Sequence, residues 1–181
     1  MKIYDVVKIK EQFPALNRLV WDKPLIYLDS AASMQKPKKV LDAINKNYSF
    51  NYSNVHRGLH KLSEEATTNY ENARTKVANF INCNEKEVVF TSGATAAINL
   101  VAYSWGLKNL SLDDEIIITI AEHHANIIPW QIIAKQTGAK IIAAQVDPDE
   151  NFNPEIIKNL ITDKTKVIAF PHVSNVLGTT F

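Results

Sequence analysis

The chain has little of what most quickly marks a function. Its 181 residues contain one cysteine, Cys83, which excludes an intrachain disulfide and a cysteine-rich zinc site. Neither sign of charge prevails: 20 lysines and arginines stand against 19 aspartates and glutamates, a net charge of +1. So even a balance gives no electrostatic footing on nucleic acid or an anionic membrane. No apolar run approaches the roughly 20 residues that cross a bilayer. The first 13 residues mix charges with apolar side chains where a secretory signal would carry an unbroken apolar core. Repeats, low-complexity tracts and like-charge blocks are also missing. What is present is ordinary: 46% apolar and 22% charged residues, the composition of a soluble globular protein. The expectation is a cytoplasmic protein of one domain or slightly more.

The clearest pattern is alternation. Val88–Phe90 reads as a strand and Thr95–Trp105 as a helix; Glu115–Ile120 reads as a strand and Asn126–Thr137 as a helix stopped by Gly138. Lys140–Val146 is a further strand. Asn153 suits an N-cap, Pro154 the first helical position, and the helix runs to Thr162 before a strand at Lys166–Phe170. Solid apolar strands separated by helices predict a mostly parallel sheet with helices on both faces. Ahead of it, Pro37–Tyr48 and Leu62–Ile81 are helical. The second carries Leu62, Ala66, Tyr70, Ala73, Val77 and Ile81 as one apolar stripe. Cys83 falls at the end of that helix and reads as a structural thiol. Residues 1–23 form an N-terminal arm with a short helix, and 24–181 the main body.

Polar residues gather where strands end. Thr91-Ser92-Gly93-Ala94-Thr95 follows the first strand, Glu122-His123-His124-Ala125-Asn126 the second, and Pro171-His172-Val173-Ser174-Asn175 the last. In a parallel sheet these ends share one side, where ligands of open α/β sheets bind. Gly93 before a helix start leaves backbone N–H groups and the positive dipole end free to cradle a phosphate or carboxylate. A bare cap without a ligand fits those residues equally well. The spacing is neither a nucleotide P-loop nor a dinucleotide fingerprint. His56 and His60 stand four apart, as zinc ligands on one helix would. Gly58 between them makes a loop the better reading.

Five segments together resemble the pyridoxal-phosphate cysteine desulfurases of the sulfur-mobilisation type, within the class-V aminotransferases. They are Tyr27-Leu28-Asp29-Ser30-Ala31-Ala32-Ser33 with Gln35-Lys36-Pro37; Asn54-Val55-His56-Arg57-Gly58-Leu59-His60 with Leu62-Ser63; Phe90-Thr91 with Gly93, Thr95 and Ile98-Asn99-Leu100-Val101-Ala102; Glu122-His123-His124-Ala125-Asn126-Ile127 with Pro129-Trp130-Gln131; and His172-Val173-Ser174-Asn175-Val176-Leu177-Gly178. Bacterial selenocysteine lyases share much of this.

The resemblance implies part of a fold-type-I aminotransferase large domain, truncated before its central strands, with residues 1–23 belonging to the small domain. It implies that Thr95 and the backbone at Ala94 bind the phosphate of pyridoxal 5′-phosphate. His123 stacks on the cofactor's ring, and Asn175 meets the ring hydroxyl and the substrate carboxylate. Ala31 lines the substrate pocket, and His56 and Arg57 approach the neighbouring subunit's site in a homodimer. Ser30, Ser33 and Ala94 depart from the residues most common there; Ala94 removes one phosphate hydroxyl. The family's lysine, cysteine nucleophile, ring-nitrogen aspartate and carboxylate-binding arginine cannot be assigned in this chain. Covalent attachment of the cofactor and independent catalysis are therefore not expected, and the loop around His56 and His60 gives no expectation of metal. The implied substrate of the complete enzyme is L-cysteine or L-selenocysteine. A complementary C-terminal chain is an implied partner; a non-catalytic relic or interaction module is the alternative.

Overall fold

The computed structural model describes residues 4–146 and 153–181; the first three residues of the expected arm lie outside this range. Contacts divide the chain into two units, Met1–Val89 and Phe90–Phe181.

In the first unit, Asp5 caps helix α1 (Val6–Lys10), its carboxylate accepting from the Lys8 N–H at 3.0 Å. Strands β1 (Leu19–Val20) and β2 (Lys23–Pro24) make a minimal antiparallel hairpin. Trp21 and Asp22 turn it at positive φ, as a two-residue hairpin loop requires. Helix α2 (Lys38–Lys46) follows the extended Pro37 and loosens into a π-helical turn at Asn47–Asn51. The long helix α3 (Lys61–Ile81) is capped by the His60 side chain and ends on left-handed Asn82. Its buried positions are Ser63, Ala66 and Ala78. The expected apolar stripe is therefore only partly covered: Leu62, Val77 and Ile81 lie exposed. Asn84 and Glu87 form a capping box, and the chain then extends through Val88. The expected strand at Val88–Phe90 pairs with no strand among the described residues. Extended backbone becomes a strand only beside a neighbour, and none is placed there.

The second unit opens with one continuous helical run. Helix α4 (Ala94–Val101) passes through a π-helical turn (Ala102–Gly106) into α5 (Leu107–Asn109). Strand β3 (Glu115–Thr119), helix α6 (Ile128–Thr137), strand β4 (Lys140–Ala144), helix α7 (Pro154–Lys158) and strand β5 (Thr165–Ala169) follow. The Asn153 side chain caps α7 through the Glu155 N–H, and Gly138 ends α6 at φ 79°. Both were legible beforehand, although α7 stops four residues short of Thr162.

The strands lie in the order β4-β3-β5, all parallel, with Ile117 opposite Ile142 on one side and Ile168 on the other. The middle strand is buried on both faces. Ile116 and Ile118 pack with Ala102, Leu110, Trp130, Ile133 and Ala134. Ile117 packs oppositely with Ala144 and Ile157. Burying each such isoleucine contributes about 1.5–3 kcal/mol. This two-sided cover fixes where the β3 carboxyl end lies, and the polar turn leaves from there.

Candidate functional site

The N-terminus of α4 lies open. Gly93 has no side chain to cap it, and Thr91 Oγ1 donates to the Gly93 carbonyl at 3.0 Å, closing the loop outside the helix. A Cβ added at Gly93 would meet no atom within 4 Å, so the ground before the first turn is clear. Ala94 and Thr95 are exposed beside it. The first-turn N–H groups have no partner inside the helix and carry its positive dipole end. Helix α4 packs against the 3-10 turn His124–Asn126, which follows His123.

His123 leads that turn from the carboxyl end of β3. Its ring Nδ1 accepts from the Ala125 N–H at 3.1 Å, and its carbonyl accepts from the Asn126 N–H at 2.8 Å. With Nδ1 accepting, the neutral ring carries its hydrogen on Nε2. The ring is exposed, and His124 meets it edge-on at 6.4 Å. Beneath lies a polar chain. Trp130 Nε1 donates to Asn126 Oδ1 (3.1 Å), Asn126 Nδ2 to Glu122 Oε2 (2.9 Å), and Thr119 Oγ1 to Glu122 Oε1 (3.0 Å). Burial raises the Glu122 pKa above its ordinary value, with the Asn126 and Thr119 bonds pulling it down.

Asn175 belongs to a turn after β5. Ser174, buried to 2% exposure, holds that turn: its Oγ accepts from the N–H groups of Val176 (3.3 Å) and Leu177 (3.1 Å). Asn175 itself is exposed. Since β3 and β5 are parallel neighbours, His123 and Asn175 leave the same edge of the sheet. The donor set suits a phosphorylated aromatic cofactor: a helix start with a hydroxyl, an exposed imidazole and an amide, in one unit.

The first unit carries the other expected residues. Ala31 lies in a turn closed by the Ser33 N–H on the Asp29 carbonyl at 3.1 Å, with the Tyr27 hydroxyl donating to the carbonyls of Asp29 (3.2 Å) and Ser33. His56 sits at φ 71°. Its N–H donates to Thr67 Oγ1 at 2.8 Å, and its Nε2 lies 2.6 Å from Glu71 Oε1. The Glu71 carboxyl falls below its ordinary range, chiefly through that His56 bond. Arg74, 3.2 Å from the other oxygen, adds to this, and desolvation opposes it. His60 Nδ1 accepts from the Ser63 N–H at 3.3 Å. The two histidines thus serve a carboxylate and a helix cap. Arg57, between them, is exposed. The His56–Glu71 tether, between residues fifteen apart, has no local signal in the sequence, and in the chain beneath His123 spacings of three and four look like ordinary helix neighbours.

The chain belongs to the class-V aminotransferase family, whose sequence profile (Aminotransferase class-V) matches residues 26–181. Among curated relatives, a probable cysteine desulfurase of Synechocystis sp. is 49% identical over 171 residues, 94% of this chain and 41% of the relative. A cysteine desulfurase of Escherichia coli K12 is 47% identical over 178 residues, 98% of this chain and 44% of the relative. An apo cysteine desulfurase structure from Thermococcus onnurineus aligns with a TM-score of 0.87 at 34% identity, covering 97% of this chain and 42% of that one. The S-sulfonic acid form of an E. coli cysteine desulfurase aligns at 0.81 with 37% identity, covering 98% and 44%. The chain therefore spans under half the length of these relatives and corresponds to their N-terminal portion. A C-DES variant, solved with glycine covalently linked to its PLP cofactor, shares the fold at TM-score 0.72 and 21% identity.

Proposed function

We propose that this chain is the N-terminal portion of a cytoplasmic, pyridoxal-phosphate-dependent cysteine desulfurase. The complete enzyme takes sulfur from L-cysteine for iron–sulfur cluster assembly, releasing L-alanine. The observation that carries the reading is the open α4 N-terminus packed against the His123 turn, in a chain of this family. Thr95 and the backbone N–H groups from Ala94 onward hold the cofactor's phosphate. The His123 ring lies on the cofactor's face, and the Asn175 amide donates to the ring hydroxyl or the substrate carboxylate. The small side chain of Ala31 admits substrate. His56 and Arg57 serve the site of a second protomer, and residues 1–23 join the small domain. When bound, the cofactor supplies an electron sink for charge developing at the substrate α-carbon.

We assign the lysine, the sulfur-accepting cysteine and the carboxylate-binding arginine to the part of the relatives that this chain does not match. Cys83 follows α3 and takes no part. The chain alone is then a binder without turnover, completed by a C-terminal segment or chain. L-selenocysteine is the alternative substrate. The test is to mix purified chain with pyridoxal phosphate and L-cysteine. Saturable cofactor binding without sustained alanine release is expected; steady alanine and sulfide production would overturn this division of groups.

A further inference from the structure

The hydrogen bonds beneath the His123 turn converge on Glu122, and their polarity from Trp130 onward is forced. An indole N–H donates and has no lone pair with which to accept. Trp130 Nε1 at 3.1 Å therefore fixes the facing atom of Asn126 as the amide oxygen. The other end of that amide is then NH2, and it donates to Glu122 Oε2 at 2.9 Å. The Thr119 hydroxyl donates to the remaining oxygen at 3.0 Å. Toward Asn126 the site asks position 122 for an acceptor; toward Thr119, whose hydroxyl donates or accepts, either kind of group serves, and the carboxylate accepts from both. Both ends of the chain are anchored: Thr119 is 1% exposed at the end of β3, and Trp130 is 4% exposed in α6. His123 lies within the closed turn, with its carbonyl on the Asn126 N–H and its Nδ1 on the Ala125 N–H.

We propose that Glu122 is a positioning residue for His123: acting through Asn126, it holds the turn that fixes the ring's orientation and keeps its hydrogen on Nε2. That the held ring serves a cofactor rests on the function proposed above; that Glu122 holds it does not.

The forced polarity makes the proposal testable by swapping donors. Glu122→Gln alone keeps its bonds, its oxygen turned to the Asn126 NH2 and its NH2 to the Thr119 hydroxyl, which can accept. Glu122→Leu removes both acceptors, and Asn126→Asp sets two carboxylates face to face with no hydrogen between them. Combining Asn126→Asp with Glu122→Gln restores every bond, with the carboxylate moved four residues along the chain. The experiment records long-range 1H–15N spectra of 15N-histidine-labelled protein above the imidazole titration range, together with the Trp130 indole N–H. Wild type is expected to show His123 as one tautomer, with widely separated ring-nitrogen shifts. In E122L and in N126D the separation shrinks and the indole signal moves; in E122Q/N126D both return toward wild type. Unchanged His123 shifts in E122L overturn the proposal. So does a double variant that is no nearer to wild type than N126D, or that fails to fold. Added pyridoxal phosphate reads the other question separately. If it leaves His123 unperturbed in wild type, the cofactor reading fails, while the tautomer series still decides the role of Glu122.

Discussion

Replacing Gly58 with alanine probes the loop that carries His56 and Arg57, and the structure fixes the size of the effect. A Cβ at this position would sit 2.4 Å from Ser63 Cβ and 2.5 Å from Ser63 Oγ. Ser63 is 1% exposed in the first turn of α3 and has no room to give way. Its hydroxyl accepts from the Gly58 N–H at 3.0 Å and donates to the Asn54 carbonyl at 2.6 Å. The loop has two escapes. It lifts away and loses both bonds, at about 1 kcal/mol each, or it stays and compresses, at about 1–3 kcal/mol for overpacking. Either way Gly58→Ala costs about 2 kcal/mol. Equilibrium urea unfolding followed by far-ultraviolet circular dichroism measures it, with a lower midpoint at unchanged slope. Amide exchange at His56 should also quicken, because its bond to Thr67 rides on the same loop. A stability change within about 0.5 kcal/mol, the ordinary range for surface substitutions, would refute the reasoning.

Other expectations follow from the same geometry. Ile133→Ala removes a fully buried side chain from the cluster around β3; urea unfolding should show a loss of about 2–5 kcal/mol. Gly138→Ala places a Cβ 2.9 Å from Leu112 Cδ1 at φ 79°, and thermal unfolding should show a lower midpoint. Lys140 lies 2.6 Å from Asp113, and that hydrogen bond and charge hold the Asp113 pKa below 3.8. Asp113's share of stability is therefore present above pH 3.8 and fades as pH falls toward its folded value. The Lys140 pKa is raised above 10.5, so its share is present below pH 10.5 and is lost as pH rises through the folded value. Unfolding curves of Lys140→Met and wild type should differ between those limits and converge beyond either. Thr95→Val should weaken pyridoxal-phosphate binding by about ten- to a hundredfold, the worth of one hydrogen bond to a charged group, as read by titration.

The second unit was the more legible in sequence, for local reasons. Three consecutive isoleucines at 116–118 place apolar side chains on both faces of the strand, which announces burial on both sides. Asn153-Pro154 and Gly138 mark helix ends by backbone chemistry alone. What escaped depends on partners distant in sequence. Val88 is extended, but whether such a segment is a strand depends on a neighbour that no local pattern supplies. The α3 stripe reads as a single buried face, yet exposed Leu62, Val77 and Ile81 show that periodicity states which face is apolar without saying what covers it. The polar turns at 122–126 and 171–175 were legible as strand ends; the turn at 91–95 was legible as a helix start, but the segment before it pairs with no strand among the described residues. The grip of Glu122 on its turn was not, because it follows from the donor-only character of an indole eight residues away.

In the proposed function this chain holds the phosphate and the aromatic face of pyridoxal phosphate without bonding to it covalently. A 31P titration of the cofactor against the purified chain, followed by borohydride reduction and peptide mapping, separates that role from its alternatives. A saturable phosphate shift that Thr95→Val and His123→Ala each weaken, with no lysine labelled after reduction, is expected. A shift indifferent to both substitutions, or stoichiometric labelling of one lysine in this chain, would contradict it.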